Sequence, residues 1–140
     1  MAAKKAGKEP SRKIPGSEGF AAAHAGLRKV IEPYTKRKGM KVLKDGPGGC
    51  VLLAPPSPRY KQYPHGLWFA CTRVGKAYVS FHLMPIYMCP ELLALISPDL
   101  KKRMQGKTCF NFKAPDPELF AELAALTKAA YARWKKDGLV

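Results

Sequence analysis

The chain has 140 residues, the size of one domain, which would bury roughly 68% of its unfolded surface. An apolar share of 46% excludes a wholly disordered chain, and no stretch reaches the ~18 apolar residues of a membrane span. The net charge of +15 directs attention to anionic partners.

Residues 1–18 hold five Lys or Arg and two Glu, with no apolar run of the kind a secretory signal needs. Residues 1–16 therefore read as a disordered basic tail, and residues 17–140 as a single folded domain. Ser17 is placed to cap a first helix, whose apolar stripe is Phe20, Ala23, Leu27, Val30 and Ile31. Pro33 ends that helix. Lys36, Arg37 and Lys38 follow in a polar connection.

Met40 to Lys44 and Cys50 to Ala54 read as strands around the turn Asp45-Gly46-Pro47-Gly48-Gly49. Residues 55–66 contain four prolines and form a loop. Leu67 to Arg73 and Lys76 to Leu83 then read as a hairpin with Val74-Gly75 as a two-residue turn. In that register Cys71 pairs with Tyr78, Trp68 with Phe81 and Ala70 with Val79. Trp68, Ala70, Val79, Phe81 and Leu83 would form a core face, opposite a mixed face of Leu67, Phe69, Cys71, Tyr78, Ser80 and His82.

Glu91 to Ile96 reads as a short helix, and Ser97-Pro98 as the cap and first position of another. Thr108 to Phe112 alternates, with Phe110 and Phe112 on one side and Cys109 and Asn111 on the other. Asp116-Pro117 opens the last helix, whose stripe is Leu119, Phe120, Leu123, Leu126, Ala130 and Trp134. The fold expected is α+β: an antiparallel sheet of about five strands, with N- and C-terminal helices packed on one face. Two short helices precede the last strand.

From residue 74 the runs VGKAYVSFHLMPIYMCPELLALISPDLKKRMQGKTCFNFK and DPELFAELAALTKAAY resemble the bacterial YdhG-like family. The most recognisable element is Lys107 to Lys113, KTCFNFK. The resemblance covers roughly residues 18–138 and implies an α+β sandwich from a family of small, mostly uncharacterised cytosolic domains. Some members are described as frataxin-like iron chaperones, which keeps iron as an alternative. Iron chaperoning wants a surface of hard oxygen donors. Here ten Asp and Glu stand against twenty-five Lys and Arg, and the first helix carries only Glu18 and Glu32.

The four cysteines, Cys50, Cys71, Cys89 and Cys109, are widely spaced and contain no C-x-x-C pair. They read as reduced thiols in a cytoplasmic compartment. His82 and Cys89, with Cys71 or Cys109, lack the spacing of a zinc site, and no phosphate-cradling glycine motif is present. No cofactor and no catalytic group is expected. His24 and His65 read as solvent-facing.

The leading expectation is a non-enzymatic domain that binds a small ligand or a protein partner. Its site would be the mixed sheet face, at Cys71, Tyr78, Ser80, His82 and Asn111. The alternative is non-specific nucleic-acid binding through the clusters Lys36-Arg37-Lys38 and Lys101-Lys102-Arg103.

Overall fold

A computed structural model describes residues 17–106 and 108–140. The basic tail expected over residues 1–16 lies outside them. The first helix, α1, spans Ser17–Ile31, and Pro33 sits in the 3₁₀ turn Glu32–Tyr34 that ends it. Strands β1 (Lys41–Gly46) and β2 (Gly49–Leu53) pair around a tight turn at Pro47-Gly48. Strands β3 (Trp68–Val74) and β4 (Val79–Leu83) follow.

A short helix α2 (Met84–Met88), a 3₁₀ segment (Pro90–Leu95) and α3 (Pro98–Lys101) cross to a two-residue strand β5 (Met104–Gln105). Strand β6 (Cys109–Phe112) and helix α4 (Pro117–Lys136) complete the fold. The six strands form one antiparallel sheet in the order β1-β2-β3-β4-β6-β5. The sixth strand, β5, was too short to carry an alternation of its own.

Two caps read from the sequence, at Ser97 and Asp116, are formed. Ser97 Oγ accepts from the Leu100 amide at 3.1 Å, and Asp116 Oδ1 accepts from the Leu119 amide at 3.1 Å. Helix α4 ends in a Schellman motif. Gly138 adopts φ 79°, the Gly138 amide donates to the Lys135 carbonyl, and the Leu139 amide donates to the Trp134 carbonyl.

Helices α1 and α4 lie on one face of the sheet. Ala23, Leu27, Val30 and Ile31 of α1 and Leu123, Leu126, Ala130 and Trp134 of α4 are buried against Leu52, Ala70, Val79, Phe81, Leu83, Phe110 and Phe112. Phe112 meets Phe120 edge to face, with ring centroids 4.9 Å apart.

The β3–β4 hairpin corrects the expected register. Val74 pairs with Val79, so four residues, not two, make the connection, and Gly75 N donates to Tyr78 O at 2.9 Å. Cys71 pairs with His82 rather than Tyr78, Phe81 with Thr72 rather than Trp68, and Ala70 with Leu83 rather than Val79. The pairing moved by four residues. An even shift keeps each side chain on its face, so Phe81 and Val79 still reach the helices.

Trp68 and Phe69 are exceptions with a separate cause. Against β2, Leu52 pairs with Ala70 but Leu53 with Trp68, so Phe69 is an extra residue in β3. That bulge reverses the phase of the strand at its start. Phe69 turns to the helices, against Tyr34, Tyr131 and Trp134 at 5.7–5.8 Å, and Trp68 turns to the opposite face.

His24 is also placed differently from expectation. It is buried between α1 and the sheet, with Nε2 2.8 Å from Thr72 Oγ1, which also accepts from the Cys50 amide at 3.0 Å. Beside it Arg28 donates two hydrogen bonds to the Asp45 carboxylate, at 3.1 and 2.7 Å, tying α1 to β1. His65 is exposed, as expected.

Candidate ligand face of the sheet

The face of the sheet opposite α1 and α4 is open among the described residues. Alternation and register place Cys71, His82 and Cys109 in one row across β3, β4 and β6, and Arg73, Ser80 and Asn111 in the next. The five residues predicted for the mixed face are therefore brought together. Four of them are joined by hydrogen bonds. Ser80 Oγ donates to Asn111 Oδ1 at 2.9 Å, Asn111 Nδ2 donates to Gln105 Oε1 at 2.7 Å, and Tyr78 OH donates to the same oxygen at 3.1 Å. Cys109 Sγ lies 3.4 Å from both Asn111 Oδ1 and His82 Nε2, which joins His82 to the chain.

These side chains thus satisfy one another. Their chemistry is subdued as well. Burial pushes the Cys71 thiol up to about 12 and raises that of Cys109, while burial and then Arg73 hold His82 below its usual value. Protonated thiols are weak nucleophiles and weak metal ligands. Cys89, considered beside His82 from the sequence, lies elsewhere, with its sulfur 3.9 Å from Asp137 Oδ2 at the end of α4. Among the described residues no group of three or more His, Cys, Asp or Glu is placed to hold a metal ion.

The groups free to meet a ligand are different ones. A groove of about 1060 Å³ runs over the open face, floored by β2 and β3 and lined by Leu43, Lys44, Val51, Trp68, Arg73 and Met84 among others. Trp68 is 48% exposed and Leu43 55%, the latter lifted out by a second irregularity between Val42 and Lys44. Lys44 and Arg73 have no ion-pair partner among the described residues, and no carboxylate lines the groove.

The described carboxylates sit with the helices. Glu32 and Asp45 pair with Arg28, Glu91 and Asp137 with Arg133, Glu122 with Ser97, and Asp99, Asp116 and Glu118 lie on α3 and at the start of α4. The open face is left cationic. Arg73 was legible in the sequence, two residues from Cys71 and in phase with it. Trp68 was not, because the bulge hid it.

The two basic clusters do not form one surface. Lys36, Arg37 and Lys38 lead into β1, and Lys101, Lys102 and Arg103 lead into β5, at opposite edges of the six-stranded sheet. Five strand spacings separate these edges, roughly 24 Å at ~4.8 Å each. All six residues are exposed, but Arg37 stacks on Tyr34 and Tyr131, with its guanidinium carbon 5.9 and 5.3 Å from their centroids. Arg103 lies 5.8 Å above Phe112, and Lys102 stands 3.9 Å from Asp99.

The fold and face together define an α+β domain with a helix-covered side and an open cationic side. The chain matches no protein-family model, no curated protein and no solved structure. Among the described residues, no helix is long and apolar enough to cross a membrane.

Proposed function

We propose that this chain is a non-enzymatic binding domain of the YdhG-like kind, whose open sheet face takes up an anionic ligand bearing a flat apolar group. The observation that carries the reading is the groove of about 1060 Å³ holding exposed Trp68, Lys44 and Arg73 with no carboxylate. Its volume is that of a small-ligand site, and an aromatic beside unpaired cations favours an apolar body with a negative charge. The protonated state of Cys71 and Cys109 supports binding over covalent catalysis. Four free thiols support a reducing, cytoplasmic setting.

An aromatic sulfonate, 8-anilinonaphthalene-1-sulfonate, tests the reading against N-phenyl-1-naphthylamine, which has the same rings without the charge. The sulfonate should bind the folded chain at least ~10-fold more tightly, a preference worth ~1.4 kcal/mol, and Arg73→Ala should remove most of it. Equal binding of the two dyes, or no effect of Arg73→Ala, would contradict the proposal.

A further inference from the structure

We infer that the anion taken up by this face is a single-stranded nucleic acid, laid along β3 and then across β4 and β6. The inference rests on the reading of the open face as an anion site and adds the class of its ligand.

The first argument is length. From Trp68 to Arg73 the groove follows five residues of strand, about 17 Å at ~3.4 Å per residue. The row Arg73–Ser80–Asn111 leads to a second depression, of about 320 Å³, where Tyr78, Gln105 and Asn111 meet Lys102, Arg103 and Lys113. Among the described residues no carboxylate lines this depression, although Lys102 and Arg103 also border the cleft of Asp99, Asp116, Glu118 and Glu122. Cations are therefore set at two sites spanned by the row Arg73–Ser80–Asn111, at Lys44 and Arg73 in the first and at Lys102, Arg103 and Lys113 in the second. A small ligand fills one site and leaves Lys113 at the other without an ion-pair partner among the described residues, whereas Lys102 stands 3.9 Å from Asp99. A chain of phosphates meets the cations of both sites.

The second argument is the kind of surface between the charges. Trp68 stands half exposed at one end and Tyr78 lies partly exposed towards the other. Aromatic rings beside cations on an open sheet are stacking platforms for unpaired bases, and they work for any base because every base has a π-face. A duplex is a poor match. Its bases are stacked away, and among the described residues no long helix lies on this face to enter a major groove.

Anisotropy of a fluorescein-labelled oligothymidylate about twelve nucleotides long, its RNA counterpart, the matching DNA duplex and polyglutamate tests the inference. A single strand, DNA or RNA, should bind more tightly than the duplex and polyglutamate. Trp68→Ala should weaken that binding by about 5- to 150-fold, the range for loss of one stacked base. Arg73→Ala should lower the slope of log K against log salt by about 0.7, the value for one phosphate on a single strand. The double variant Lys135→Ala/Lys136→Ala removes twice the charge from the exposed end of α4 and should change affinity less than either.

Duplex or polyglutamate binding as tight as the single strand would overturn the inference, as would Trp68→Ala or Arg73→Ala acting no more than the α4 control. The aromatic sulfonate separates the two levels. If it binds at Arg73 while no single strand binds or displaces it, the nucleic-acid inference fails and the anion site stands. If it does not sense Arg73, both fail.

Discussion

Trp68 and Phe69 are adjacent in β3, yet Phe69 is fully buried among Tyr34, Tyr131 and Trp134 while Trp68 is 48% exposed on the other side of the sheet. Their contrast gives the first prediction. Phe69→Ala removes a fully packed ring and should cost ~3–5 kcal/mol in urea denaturation. Trp68→Ala should cost clearly less than Phe69→Ala, because about half of the Trp68 surface is already in water. A Trp68→Ala cost close to that of Phe69→Ala would place Trp68 in the core and remove the proposed groove.

The same pair shows where the sequence stops being legible. Strict alternation puts Trp68 in phase with Ala70, and only the bulge opposite Leu52 and Leu53 breaks that phase. A bulge is one residue of backbone geometry fixed by packing on both sides, and no residue type at Trp68-Phe69 announces it. The hairpin loop is a similar case. Val74-Gly75 has the composition of a tight turn, but the chain closes over four residues to bring Phe81 opposite Thr72. What survived is what depends on parity alone. Phe81, Phe110 and Phe112 pack inward, and Ser80, His82 and Asn111 share the open face. His24 stands four residues after Phe20 and three before Leu27, on the apolar side of α1, but as a polar residue it looks exposed until Thr72 is placed beneath it.

The second prediction concerns pH. Burial holds His24 below its usual value of 6.5, outweighing the opposing pull of Asp45. Burial and Arg73 lower His82 in the same sense. The unfolded chain therefore takes up these protons at higher pH than the folded chain does. Stability should be whole above about pH 6.5 and decline as pH falls towards the folded values. Thermal melts at about pH 7.5 and 5.5 should show this loss, and His24→Gln, which keeps a donor for Thr72, should reduce it. An unchanged loss in His24→Gln would assign it to other groups.

Thiol reactivity gives the third. Cys50, Cys71 and Cys89 are buried, and burial raises all four thiols, Cys71 to about 12. Iodoacetamide at neutral pH should modify Cys109 first and Cys71 last, each far more slowly than in urea-unfolded chain. Peptide mass spectrometry over time would read the order. Fast labelling of folded Cys71 would show a thiolate that this environment does not support.

The loop of residues 55–66 supplies the fourth. Its base is closed by the Ala54 amide donating to the Leu67 carbonyl at 2.8 Å, and Gly66 stands there at φ 105°. A methyl group at Gly66 would sit 1.9 Å from the Ala54 carbonyl oxygen, a contact no side-chain motion relieves. Gly66→Ala should therefore cost more than ~1 kcal/mol, since both the conformation and the space are wrong for it. Gly48→Ala, in the β1–β2 turn, meets no atom within 4 Å and serves as the mild comparison in the same denaturation series.

The central claim is that the open cationic face of the sheet, and not the helix layer, receives the ligand. Amide chemical-shift mapping of the isotope-labelled chain with 8-anilinonaphthalene-1-sulfonate tests it directly, because one titration reads both faces. The largest shifts should fall on Lys44, Val51, Trp68, Cys71, Arg73 and His82, with the exposed residues of α1 and α4 unmoved. Shifts concentrated on α4 or in the acidic cleft of Asp99, Asp116 and Glu122, with Trp68 and Arg73 still, would contradict the account.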